Sequence, residues 1–262
     1  MIDMHSHILY DIDDGSRSLE MSLIMLRMAV RSGTTHLFAT PHVNRRGVIP
    51  QWQTIVDKVE ALQQAARELS IPIELHAGAE VELNYDTLRF IKQGSRDYCL
   101  AGSRYILVEL TSQSQPDQVE NLLFELMLRD FIPVLAHPER YDRIMGHPDR
   151  VLKWMQRGVL TQCNAGSFTG SFGKETKKRA EQLLQHHMIC FLGSDAHRNE
   201  HRNPDLREAE EQLEAITGGT RLWEQCERNA MKVLQDKIFY PDVPEHWHPV
   251  KKSFFARLFG RK

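Results

Sequence analysis

The chain predicts an α/β fold on a parallel sheet, and its seven strand-and-crossover units suit a closed or nearly closed (β/α) barrel. Three observations carry this. Short apolar runs alternate with amphipathic stretches from one end to the other. Histidines and carboxylates follow those runs, where loops at the carboxyl ends of barrel strands build active sites. A length of 262 residues, 41% of them hydrophobic, suffices for one large core.

The elements follow in order. Residues 1–4 read as a strand leading into His5-Ser6-His7. The amphipathic stretch 19–32 crosses to a strand at 35–40, which runs into Pro41-His42. Stretch 51–69 crosses to 73–79, ahead of Glu80, and the run 105–110 contains Glu109. Stretch 118–129 crosses to 132–136, ahead of His137. Stretch 148–157 leads to 160–163 and Asn164, and stretch 174–187 to 188–192, ahead of Asp195 and His197. Two more helical stretches, near 205–217 and 220–235, close the pattern.

Lys plus Arg is 33 and Asp plus Glu is 35, so no whole-chain field favours nucleic acid or membrane. The first strand leaves no room for a signal peptide, and no apolar run nears the roughly 20 residues that span a bilayer. Cys99, Cys163, Cys190 and Cys226 are scattered without a CxxC pair, which fits a reducing, cytoplasmic setting.

His5 and His7 lie two apart on an extended segment, so their side chains point the same way and can share an ion. Asp195 and His197 repeat that spacing. With His42, Glu80, Glu109 and His137 at the other strand ends, the pattern expects a metal cluster. Asp13 and Asp14 precede Gly15-Ser16. One of them is expected to turn or cap the chain and the other, Asp14 by preference, to reach a metal. Asn164 is expected to support the ligands. His36 and His76 are read as core residues, and His147, His186, His187, His246 and His248 as surface or helix-end residues, with His201 open.

Charge sets what such a site holds. Asp14, Glu80, Glu109 and Asp195 bring four negative charges, and three divalent ions would leave two positive for a phosphate dianion and a hydroxide. Histidine and carboxylate ligands without thiolate suit Mn, Fe or Zn. Arg140, three residues after His137, and Arg202, seven after Asp195, are candidates for bidentate phosphate contact.

Met1-Ile2-Asp3-Met4-His5-Ser6-His7, Asp13-Asp14-Gly15, Pro41-His42, Gly78-Ala79-Glu80-Val81, His137-Pro138-Glu139-Arg140 and Gly193-Ser194-Asp195-Ala196-His197 resemble the polymerase-and-histidinol-phosphatase (PHP) superfamily. More narrowly they are similar to its bacterial tyrosine-protein phosphatases of capsule and exopolysaccharide operons. The resemblance spans about residues 1 to 240. It implies a distorted seven-stranded β/α barrel of PHP type with three metal ions, usually manganese. His5, His7, Glu80 and Asp195 would hold one ion, Glu80 with Glu109 and His137 the second, and Asp14, His42 and His197 the third. Arg140 and Arg202 match the family's phosphate-binding arginines. The implied reaction is metal-assisted phosphotyrosine hydrolysis, and the implied partner is a membrane-linked bacterial tyrosine kinase.

A cysteine-nucleophile phosphatase is excluded, because it needs an Arg six positions after its Cys. Tyr105, Thr169, Ala196 and Lys232 stand there instead. Three other readings stay open: a PHP phosphoesterase acting on histidinol phosphate or a nucleotide, an amidohydrolase, and a non-catalytic metal-stabilised scaffold that binds a kinase. Residues 241–262 read as a Pro-containing lead and a tail. The tail carries five basic residues from Lys251 to Lys262 and no acid. On a helix, Phe254, Phe255, Leu258 and Phe259 would share a face, suiting an anionic membrane surface or a partner groove.

Overall fold

A computed structural model describes residues 1–248 of the chain, and the tail segment 251–262 lies outside them. Among the described residues nine strands run in chain order: β1 (Ile2–Ser6), β2 (His36–Ala39), β3 (His42–Val43), β4 (Glu74–Ala77), β5 (Glu80–Glu82), β6 (Tyr105–Glu109), β7 (Ile132–Ala136), β8 (Leu160–Asn164) and β9 (Phe191–Gly193). Every ladder between them is parallel. They form a three-stranded sheet, β1-β2-β4, and a six-stranded sheet, β3-β5-β6-β7-β8-β9.

Seven expected runs become nine strands because two short strands, β3 and β5, follow directly beyond the runs 35–40 and 73–79. Pro41 separates β2 from β3, and a proline has no N–H to give a ladder. Gly78-Ala79 separates β4 from β5 at the matching level. The two strands of each such pair join different sheets, so His42 pairs in register with Glu80. The two sheets meet again between β1 and the segment after β9. Asp195 N donates to His5 O at 2.8 Å, and His7 N to Ala196 O at 2.9 Å.

The middle strands are buried over nearly all their length, as parallel strands covered on both faces should be. Tyr105, Ile106, Leu107 and Val108 of β6 all lie in the core, as do Val134 and Leu135 of β7. Helices supply the crossovers. Leu19–Arg31 starts at Ser18, whose hydroxyl accepts from Met21 N at 3.2 Å. Pro116–Leu128 and Pro148–Gln156 each begin on a proline, which costs no helical hydrogen bond there. Ala29, Leu62, Leu126 and Leu183 are among the helical residues facing the core. The last helix among the described residues, Arg221–Leu234, packs against β9 and β1. Beyond it the described residues stay in contact with the body. Phe239 stacks on Tyr105, and Trp247 lies flat on His186 at 3.7 Å between ring centroids.

Gly193 is a fixed point of the architecture. A Cβ there would sit 2.7 Å from His5 Cβ and 2.9 Å from His5 N, so only glycine lets β9 come this close to β1. Among the described residues, no helix is long and apolar enough to cross a membrane.

Candidate metal centre

The carboxyl ends of the strands bring the candidate residues together. His5 lies in β1 with His7 just beyond it. His42 lies in β3, Glu80 opens β5, and Glu109 closes β6. His137 follows β7, and Asp195 and His197 follow β9. His5, His7, His42, Glu80, His137, Asp195 and His197 are buried, Glu109 is partly buried, and Asp14 stands exposed at the rim.

Glu80 is the hub. Its Oε2 lies 3.4 Å from His5 Nε2, 3.3 Å from His7 Nε2 and 3.0 Å from His42 Nδ1, while Oε1 lies 2.7 Å from His137 Nε2. Asp195 Oδ1 lies 3.7 Å from His5 Nε2 and 3.4 Å from His7 Nε2. Asp14 Oδ1 faces His42 Nε2 at 3.5 Å and His197 Nε2 at 3.4 Å. His42 also turns Nδ1 to Glu109 Oε1 at 2.8 Å. Donor atoms converge in three groups: His5 with His7 and Glu80; His42 with Glu80 and Glu109; and His7 with Asp14, His42 and His197.

Four buried atoms of these residues make no hydrogen bond of good geometry: His42 Nδ1, Glu80 Oε2, Glu109 Oε1 and His137 Nδ1. An unpaired buried polar atom is costly. Carboxylate oxygens and imidazole nitrogens crowded this way fit divalent cations, which would use their lone pairs.

Supporting groups fix the rings. Gln162 Oε1 accepts from His5 Nδ1 at 2.9 Å, which leaves Nε2 with its lone pair facing the cluster. Asp13 Oδ2 takes His7 Nδ1 at 2.6 Å and the His42 backbone N–H at 2.9 Å. Asn164 donates to Asp195 Oδ2 at 2.8 Å. Asp3 accepts from the Ser194 N–H at 2.8 Å and its hydroxyl at 2.6 Å, tying β1 to the Asp195 loop. Two cluster residues hold left-handed backbone, His137 at φ +33° and Asp195 at φ +52°. Such strain is of the order of 1–3 kcal/mol per residue and gathers at functional sites.

The electrostatics match the crowding. Burial opposes ionisation of Glu80, but His5, His42 and His137 hold its carboxyl well below the ordinary range. Asp195 follows the same logic: burial is overcome by His5, His7, His137 and Arg202. His42 is disfavoured as a cation by burial and by His7, yet Glu80 and Glu109 raise it to about 9. His197 falls to about 4, through burial and the nearby His7. Without cations, protonated imidazoles balance the acids.

Arg140 Nη1 and Arg202 Nη2 clasp Asp195, at 2.8 Å and 2.7 Å. Their side chains are 33% and 34% exposed, and both guanidinium groups lie against the Phe172 ring. They line a cavity of about 740 Å³ whose walls include Leu110, Tyr141 and Ile144. Tyr141 Oη is held by the Leu110 N–H at 2.9 Å.

Sequence reasoning missed Arg45 and Arg46, which also line the cavity. A signal was present, because Arg45 follows His42 at the same three-residue offset as Arg140 follows His137. It missed Asp3, whose role needs a contact across 191 positions. His36 and His76 are corrected. They are partly exposed neighbours rather than core residues: His36 stands at the start of β2, and His76 on the edge strand β4 beside it.

A sequence profile described as "Capsular polysaccharide synthesis, CpsB/CapC" matches residues 1–235. The tyrosine-protein phosphatase YwqE of Bacillus subtilis is 32% identical over 260 residues, 99% of each chain. The tyrosine-protein phosphatase CpsB of Streptococcus pneumoniae is 29% identical over 245 residues, 91% of this chain and 100% of that one. A crystal structure from work on those two proteins, described as metal-dependent tyrosine phosphatases, superposes with a TM-score of 0.85. It shares 30% identity and covers 95% of this chain and 100% of its own. A β-aspartyl dipeptidase from Fervidobacterium islandicum shares the fold alone, with a TM-score of 0.56 at 13% identity, over 93% of this chain and 75% of that one.

Proposed function

The chain belongs to the CpsB/CapC family of capsular polysaccharide synthesis, and on that footing we propose that it is a metal-dependent protein-tyrosine phosphatase. The observation that carries this reading is the convergence of His5, His7, His42, Glu80, Glu109, His137, Asp195 and His197 beside an arginine-lined cavity.

Three divalent ions, manganese in this reading, are assigned here. His5, His7, Glu80 and Asp195 would hold one, Glu80, Glu109 and His137 a second, and Asp14, His42 and His197 a third. The separations around Glu80 and Asp14 support that division. The strands are read as one distorted seven-stranded barrel of PHP type, supported by the backbone bonds between β1 and the Asp195 segment. Residues 1–240 form the catalytic unit and 241–262 a linker and tail.

Bound cations supply positive charge that lowers the pKa of a nearby water and balances charge on the phosphoryl group. The remaining work falls to the chain. Arg140 and Arg202, already side by side on Asp195, turn their free N–H groups to nonbridging phosphate oxygens. Gln162 and Asp13 keep His5 and His7 in one tautomer and orientation. Leu110, Tyr141 and Ile144 give the substrate ring an apolar wall. A tyrosine leaves as phenolate with a pKa near about 10, so little general-acid help is needed. No cysteine competes as nucleophile, since all four are buried and burial pushes Cys99 up to about 12 and Cys190 to about 11.

The substrate is assigned as phosphotyrosine on a membrane-linked bacterial tyrosine kinase that controls capsule or exopolysaccharide synthesis. The enzyme is placed in the cytoplasm, peripheral to the inner face of the membrane through its basic tail. Comparing turnover of a phosphotyrosine peptide with that of histidinol phosphate tests the substrate class. Arg140→Ala and Arg202→Ala should each lower kcat/KM on the peptide by about 10²–10³ while metal content stays full. Preference for histidinol phosphate, or loss of metal in the arginine variants, would overturn the assignment.

A further inference from the structure

We propose that His36, Glu74 and His76 form a second metal site, distinct from the cluster at the strand ends, which takes one Zn2+-class divalent ion. The parallel register of β2 and β4 sets His36 beside Glu74 and Phe38 beside His76. Alternation along each strand then puts all four side chains on one face of the pair.

The donor atoms are spaced for coordination. His36 Nδ1 lies 3.1 Å from His76 Nε2 and 3.5 Å from Glu74 Oε2, and one atom from each residue lies within 4.8 Å of the others. Tetrahedral ligands at about 2.0–2.1 Å from zinc stand about 3.3 Å apart, and the two measured edges bracket that value. Two imidazoles and a carboxylate favour a borderline transition ion over Mg2+ or Ca2+, which prefer all-oxygen shells.

The site is also held in shape. The two imidazoles stack with centroids 5.3 Å apart, and the buried Phe38 ring closes on His76 at 5.1 Å. Burial pushes the His76 pKa down and so keeps its lone pair available. Glu74 is 64% exposed, which gives an ion a path from solvent. An ion bound here would tie β2 to β4 at their amino-terminal starts. The chain runs on from those strands into β3 and β5, which carry His42 and Glu80, so the site braces the scaffold of the cluster without sharing a residue with it.

The test uses the full chain, stripped with chelator and titrated with Zn2+ in competition with a chromophoric chelator. Wild type is compared with His36→Gln and Glu74→Gln, and circular dichroism verifies that the variants fold. Wild type should take up one more equivalent than His36→Gln. Glu74→Gln should bind that ion at least about tenfold more weakly. Excess Zn2+ should raise the melting temperature of wild type beyond that of His36→Gln. Because none of the three residues belongs to the cluster, the difference is read against whatever number of ions the cluster takes. Equal zinc stoichiometry and affinity in all three proteins would overturn the proposal and leave the imidazoles as a hydrogen-bonded pair.

Discussion

Asp195 shows what single residues contribute. It holds a φ of +52°, and its two oxygens receive Arg140, Arg202 and Asn164 while facing His5 and His7. Such a residue serves both the cluster and the arginines that face the cavity. The imidazoles make a pH prediction. His42 rises to about 9 in the fold from an ordinary value of about 6.5. Its raised pKa stabilises the metal-free protein fully below about 6.5, and that contribution is lost as pH climbs to about 9. Glu80 and Asp195 are depressed, so their contribution is present above about 4 and lost as pH falls. His197, lowered to about 4, works the other way, its contribution being full above about 6.5 and lost as pH falls, so the metal-stripped protein should melt highest near about pH 6.5. Cation affinity should climb between pH 6.5 and 9, by up to about tenfold per unit for each proton displaced. Melting curves and Mn2+ titrations across that range check both, and a flat affinity would contradict the ion-pair balance. Most positions proposed as ligands stood out in the chain because they follow or close an apolar run, whereas Asp14 lies in a polar loop. Asp13 was only half legible, since a turn residue and a residue orienting His7 look alike in sequence.

The elements fix how near those residues come. Gly193 admits β9 to within contact of His5, and a methyl group there would strike His5 backbone and side chain alike. Gly193→Ala should cost about 1–3 kcal/mol, the usual range for overpacking a close contact, and should also weaken metal retention. Urea unfolding together with metal content measures both, and an unchanged midpoint would show that the strands separate freely. Strand positions were readable from hydrophobic runs, and seven of the nine strands begin or lie within the expected ranges. The short strands β3 and β5, beyond Pro41 and Gly78-Ala79, were not read. A run of apolar residues reports burial, whereas the partner of each strand depends on contacts far away in sequence. Arg45 and Asp3 escaped for the same reason: their meaning lies in which loop or strand stands opposite.

For the whole molecule, two parallel sheets and their crossover helices set one end of the strands as a metal-binding face, with the last described residues running along the body. The tail adds a claim about place of action. Deleting residues 251–262 should leave turnover of a small phosphotyrosine substrate unchanged, and should lower activity on a kinase held in anionic vesicles. Equal activity on both would remove the membrane role. The central claim is that the cluster works through bound cations. The most direct measurement strips the pure protein with chelator, records its metal content, and follows phosphotyrosine peptide turnover as Mn2+, Zn2+ or Mg2+ is restored. Turnover should vanish with the metal and return with Mn2+; full turnover by protein that holds no metal would contradict the account.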